Sequence, residues 1–216
     1  MHRLVSVFAL FLGPAVLPAS PGDGPLHEVI PALFGAEAVV QPYRGEQRPA
    51  LAAAAHHALE TIRAKGVTAG RPNEVGHAVE ELLLEALRAA GFTVDRPLAR
   101  SGRRRAAGYP DLEMTREGDR FYVEVKTYHP RTENSTQRTF YLSPSGDPKV
   151  TQPAIHLLFA FAMLPDVDEP GRYRAESMRV LDLHDLEVQL KFEYNAGNDD
   201  LYGAEAGLEV LYLETK

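Results

Sequence analysis

The chain has no cysteine, no excess of basic residues and no apolar run long enough to cross a bilayer as a helix. The first absence excludes disulfides, thiolate nucleophiles and cysteine-based zinc sites together, and leaves the redox compartment open. The second, a formal net charge of −7, means that the surface as a whole repels polyanions. Any contact with a nucleic acid must then come from a local basic patch. The third removes stable membrane insertion from consideration, because the apolar run 4–12 falls well short of the roughly 20 residues a spanning helix needs. What is present is ordinary: 216 residues, 44% hydrophobic and 25% charged, which suits a soluble globular protein with a full core.

The N-terminus allows two readings. Met1, His2 and Arg3 precede the apolar run, and Gly13 and Ala15 place small side chains where a signal peptidase reads, with Pro14 and Pro18 making the site irregular. Residues 1–20 are therefore either a cleaved secretory signal or an apolar segment packed on the domain. Whether the protein is cytoplasmic or exported turns on that choice. The remainder, 21–216, is expected to form a single domain.

Residues 21–45 are punctuated by proline and glycine and read as an irregular lead-in. Pro49 opens an Ala-rich helix to Lys65, with Leu51, Leu59 and Ile62 at helical spacing and Gly66 as the stop. His56 and His57 fall inside it; adjacent histidines point in different directions on a helix, so solvent exposure suits them better than metal binding. Asn73 is a good N-cap for a second helix through Val75, Val79, Leu82, Leu83, Leu87 and Ala90, ending at Gly91. Strands are expected at 92–94, 112–114, 121–128, 139–142, 178–183, 188–192 and 208–213, and a further apolar helix at 152–163. Interleaved strands and helices give an α/β fold, a mixed β-sheet core flanked by helices.

The chemistry concentrates between the second helix and the strand at 121–128. Alternation there puts Phe121, Val123 and Val125 on one face and Tyr122, Glu124 and Lys126 on the other. With Glu117 and Gly118 as a hairpin turn, Asp111 falls opposite Glu124, and two carboxylates meet. Such a pair repels unless a proton or a cation resolves it. Mg2+, with Mn2+ as a substitute, suits two carboxylates plus water and a phosphate oxygen. Lys126 then stands ready to hold the attacking water or to neutralise charge developing on the phosphate.

These residues resemble the PD-(D/E)XK nuclease superfamily, whose pattern reads here as GYPDLEM at 108–114 and FYVEVKTY at 121–128. The upstream segment GHAVEELLLEALRAAGF, 76–92, is similar to the first core helix of these enzymes, which often supplies another acidic residue. Its glutamate spacing before Gly-Phe resembles archaeal Holliday-junction resolvases and selects Glu80. Glu81 and Glu85 share the helix and read as solvated. The segments 138–161 and 192–203 look like restriction-endonuclease-type members. The resemblance implies a restriction-endonuclease-like fold with its core motifs in 73–128, and a metal-dependent endonuclease acting on duplex DNA. Asp111, Glu124 and Glu80 are then the implied metal ligands and Lys126 a catalytic partner; a homodimer is an admissible assembly.

Arg103, Arg104 and Arg105 form the densest cationic cluster, on a loop expected to be flexible enough to grip phosphates. Arg131, Arg138 and Lys149 beyond the hairpin are the next candidates. His129, His156 and His184 each invite a catalytic reading; His156, placed in an apolar helix, reads as a hydrogen-bonded core histidine, while His129 is close enough to the motif to deserve a mutation. Two other classes fit the composition: a nucleic-acid-binding module of the same fold without cleavage, and an exported protein whose carboxylate pair binds calcium.

Overall fold

The computed structural model describes residues 22–70, 74–105, 107–136 and 139–191. The N-terminal apolar run, Asn73, Arg138 and the strand expected at 208–213 lie outside the described residues. In chain order the elements are β1 (Gly24–Pro25), α1 (Leu26–Phe34), β2 (Val40–Gln41), α2 (Arg48–Lys65), β3 (Val67–Thr68), α3 (Val75–Ala89), β4 (Thr93–Asp95), β5 (Leu112–Arg116), β6 (Asp119–Tyr128), β7 (Ala154–Pro165), β8 (Arg172–Asp182) and β9 (Glu187–Val188). No described helix is long and apolar enough to cross a membrane.

The two expected helices form. Proline opens α2, where its missing N–H costs nothing. Gly66, at φ 66°, closes it by donating its N–H to the Ile62 carbonyl. Along α3, Val75, Val79, Leu83, Leu84 and Leu87 make a buried stripe, while Glu81 and Glu85 are exposed. That stripe and Leu51, Ala54, Ala58 and Ile62 of α2 cover one face of the main sheet.

The sheet runs β3-β8-β7-β6-β5-β4, with β2 added alongside β7. It is mixed: β6 and β7 are parallel, as are β2 and β7, and the other pairs are antiparallel. The architecture is thus α/β, a curled mixed sheet with helices against it, consistent with the restriction-endonuclease-like fold. Phe121, Val123 and Val125 of β6 pack towards the helices with Leu112, Met114, Leu157, Phe159 and Phe161. The opposite face carries a second cluster, in which Tyr122 meets Tyr109, Val150, Ala154 and the α1 residues Leu26, Ile30 and Phe34.

Three expectations are corrected. Residues 152–163 form not a helix but most of β7, a central strand paired on both sides. Both of its faces are buried, so the run AIHLLFAFAM carries no polar alternation, and a strand of that kind has the same apolar profile as a buried helix. The lead-in 21–45 is not irregular, since it holds β1, α1 and β2. Pro31 inside α1 and the closing Gly35 at φ 112° produced the punctuated appearance. Residues 139–142 pair with no strand; Phe140 and Leu142 pack instead against the second cluster.

Candidate active site

The hairpin β5–β6 sets the site. Glu117 at φ 52° and Gly118 at φ 94° make its two-residue turn, the left-handed geometry that matches the twist of paired strands. This fixes the register at Leu112↔Val123, so the next residue out, Asp111, meets Glu124. The Asp111 N–H donates to the Val123 carbonyl at 3.1 Å. Its side-chain Oδ2 accepts from the Val125 N–H at 2.8 Å, which ties the carboxylate to the strand that carries Glu124.

Glu124 is 4% exposed. Lys126, two residues along the same face, pairs with its Oε1. Among the described residues no donor reaches Oε2, a buried carboxylate oxygen with nothing to satisfy it. Burial, reinforced by the Asp111 charge, raises the Glu124 carboxyl to about 7 and outweighs the lowering by Lys126. An orphaned carboxylate oxygen beside a second carboxylate fits a hard divalent cation, because such an ion takes oxygen ligands and offsets both charges. Asp111 and Glu124 are the residues that could hold it.

Glu80 is brought near without joining them. It sits on the buried side of α3, and its charge acts on Lys149 together with those of Asp111 and Glu124. Its carboxylate is held by Arg96, with Oε1 accepting from Nε at 3.2 Å and from a terminal nitrogen at 3.0 Å, and by His77 Nδ1 at 3.5 Å. Arg96 also pairs with Glu81. Its reach back to α3 escaped the sequence reading, since nothing in the local pattern marks a contact between a strand end and a helix fifteen residues earlier.

The arginine loop is tethered at several points. Leu98 and Arg104 form a bridge, and the Ser101 N–H and hydroxyl both donate to Asp147 at 2.8 Å. Arg104 makes a two-point pair with Asp95 at 2.9 and 2.8 Å, and Arg105 donates to Ser145 Oγ and the Asp147 carbonyl. Arg103 is exposed, and its side chain makes no hydrogen bond or ion pair among the described residues. Arg131 is exposed on a short 3-10 turn, Pro130–Thr132, capped by His129. Lys149 is not on that surface: it is 6% exposed, with its ammonium on the carbonyls of Gly108 and Pro110 at 2.7 and 3.1 Å.

His156 is fully buried and shares a 2.6 Å hydrogen bond with the Tyr109 hydroxyl, so the expected core histidine is present, on a strand rather than a helix. Burial holds it neutral, with its pKa down to about 3. His27, His184 and Asp185, where α1 meets the turn after β8, also gather ligand-type atoms. The two rings stack at 4.3 Å and 11°, so no ion can lie in both ring planes at bonding distance. Asp185 instead accepts from His184 Nδ1 at 2.6 Å.

The profile of the type II restriction enzyme MjaV family matches residues 27–205. The chain is also 34% identical over 169 residues to the type II restriction enzyme MjaV of Methanocaldococcus jannaschii, covering 70% of this chain and 71% of that protein. The chain belongs to the MjaV restriction enzyme family. It is accordingly a DNA endonuclease of the restriction type, and the hairpin at 111–126 is the place in this MjaV-family enzyme where carboxylates and a lysine converge. Tyr109, just before Asp111, and Lys149, far beyond the hairpin in the chain, both lie close enough for the Asp111 and Glu124 charges to act on them.

Proposed function

We propose that the protein is a PD-(D/E)XK enzyme that hydrolyses phosphodiester bonds of duplex DNA with Mg2+, held by Asp111 and Glu124, and that Mn2+ substitutes for it. The observation that carries this reading is the buried Oε2 of Glu124, without a hydrogen-bond partner among the described residues, at the position across the hairpin from Asp111. When bound, the ion supplies charge neutralisation at the scissile phosphate and lowers the pKa of the attacking water. Asp111, fixed by the Val125 N–H, presents its remaining oxygen without reorganisation. Lys126, partly exposed and reached from the Glu124 face, moves from its carboxylate partner to the phosphate or the water as charge develops there. Glu80 joins as an outer acidic group once Arg96 yields it.

Duplex phosphates are gripped by Arg103 first, with Arg131 and Arg138, later in the chain, as further contributors; Arg104 and Arg105 mainly order the loop that presents Arg103. A homodimer would place two such hairpins on the two strands of a symmetric site. Incubation of the full chain with plasmid and short duplexes, in Mg2+, in Mn2+ and in EDTA, tests the reading. Discrete products are expected with either metal and none with chelator. Cleavage that persists in EDTA, or binding that survives chelation with no product under any metal, refutes it.

A further inference from the structure

The geometry points to Lys149 and His156 as positioning residues that hold the tripeptide Gly108-Tyr109-Pro110, and through it Asp111, in place for the ion. The inference rests on Asp111 and Glu124 being the metal ligands. Strand β5 begins only at Leu112, so the carbonyls immediately before Asp111 have no ladder to satisfy them. The Lys149 ammonium brackets two of them, donating to Gly108 at 2.7 Å and to Pro110 at 3.1 Å. Between those two carbonyls, the Tyr109 side chain shares its hydroxyl with His156 Nδ1 at 2.6 Å. Tyr109 stacks on the His156 ring, and Tyr122 closes the same ring edge-on. The three consecutive residues before the candidate ligand are therefore fixed by two buried polar anchors, and the carboxylate after them by the Val125 N–H.

A neutral donor could satisfy carbonyls at less cost, because burying an ammonium is expensive unless its charge is used. Burial lowers the Lys149 pKa, and the charges of Asp111, Glu124 and Glu80 oppose that lowering and help to keep the ammonium charged, while Lys126 pairs with Glu124 Oε1. Lys149 is thus a bracket for the chain and a counter-charge for the carboxylates while no ion is present. Once a divalent cation binds, the second role is redundant.

That redundancy gives a readout that a merely structural lysine would not show. Melting of Lys149→Met and the parent is compared in EDTA and in saturating Mn2+, alongside kcat, KM and the salt dependence of duplex binding in Ca2+. The deficit in Tm of the variant should be largest in EDTA and shrink when Mn2+ takes over neutralisation. Tyr109→Phe removes the second anchor without altering charge. It should lower kcat by about ten-fold, the usual scale for a group supporting a ligand, with KM for duplex little changed. A Tm deficit equal in EDTA and Mn2+, or unaltered kcat in Tyr109→Phe, overturns the inference. So does a flattened salt slope in Lys149→Met, which would make it a phosphate contact. If Lys149→Met does not fold, the Tyr109→Phe result decides alone. Mn2+ titration of Asp111→Ala separates the two levels: parental affinity there removes the metal-site reading and this inference with it, whereas loss of affinity leaves only the inference exposed to the other arms.

Discussion

The two faces of the sheet are built by opposite rules. Towards α2 and α3, β6 contributes Phe121, Val123 and Val125 to a wholly apolar cluster covered by regular helices. On the other side the same strand contributes Tyr122, Glu124 and Lys126, covered by α1 and by loops, with Lys149 and His156 buried among them. The first face gains stability from every contact. The second gives some of it up, because a carboxylate pair and a buried ammonium are tolerated only through specific partners. One strand therefore holds the fold together on one side and the candidate chemistry on the other, and substitutions on the two faces should fail in different ways.

The largest contrast is expected from Asp111→Ala or Glu124→Ala, each of which removes a metal ligand. Cleavage in Mg2+ should fall by roughly a thousand-fold or more, while the melting temperature in EDTA changes little, because relief of carboxylate repulsion offsets the lost contact to the Val125 N–H or to Lys126. Turnover at the parental rate would remove the assignment. On the helix face, Leu83→Ala should lower stability by roughly 2–5 kcal/mol through lost burial and a cavity, with kcat per folded molecule retained. Urea unfolding and active-site titration of one preparation measure both quantities, and a selective loss of kcat would show that the faces are not independent.

The pH dependence of the metal-free protein should also separate them. Glu124 has its carboxyl raised to about 7 from an ordinary value of 4.5, so the proton it binds stabilises the fold fully below about 4.5. That contribution is lost as pH rises through 7. Relative to Glu124→Gln, the parent should weaken by roughly 3 kcal/mol across that window, and parallel profiles in EDTA would contradict a buried protonated carboxyl. Lys126→Ala should lower kcat by about a hundred-fold, as for loss of one preorganised donor, with duplex affinity in Ca2+ little changed; equal losses in both would make it a phosphate contact. The smallest effect belongs to the surface. Arg103→Ala should flatten the slope of log affinity against log salt by about 0.9, and an unaltered slope would move the grip to Arg131 and its neighbours.

The site is more legible in the sequence than the chain around it. Hairpin register follows from two local features, the Glu117-Gly118 turn and strict alternation in β6, so the meeting of Asp111 with Glu124 is encoded within sixteen consecutive residues. Glu80 is set apart from Glu81 and Glu85 only through the spacing that resembles archaeal Holliday-junction resolvases; in the fold it alone of the three is buried, with Arg96 on its carboxylate. What stays hidden depends on tertiary environment. A strand buried on both faces has no period to reveal it, which conceals β7 and assigns His156 to a helix. Lys149 looks like one more cation near a basic region, because sequence records charge and not which carbonyls lie about 3 Å from it. The loop arginines look alike for the same reason, whereas in the fold Asp95 holds Arg104 and the Asp147 carbonyl holds Arg105.

The parallel join of β6 to β7 carries a kinetic consequence. The hairpin that opposes Asp111 to Glu124 closes over a two-residue turn, an event of microseconds. Lys149 and His156 lie late in or beyond the 129–153 crossover, and a distant contact has to offset the entropy of a long loop before it forms. During refolding the two carboxylates should therefore meet first, in water, with their buried cation still to arrive. Glu124 should thus be enclosed only in the closing stage, once the chain beyond β6 has brought Lys149 in and laid β7 alongside β6.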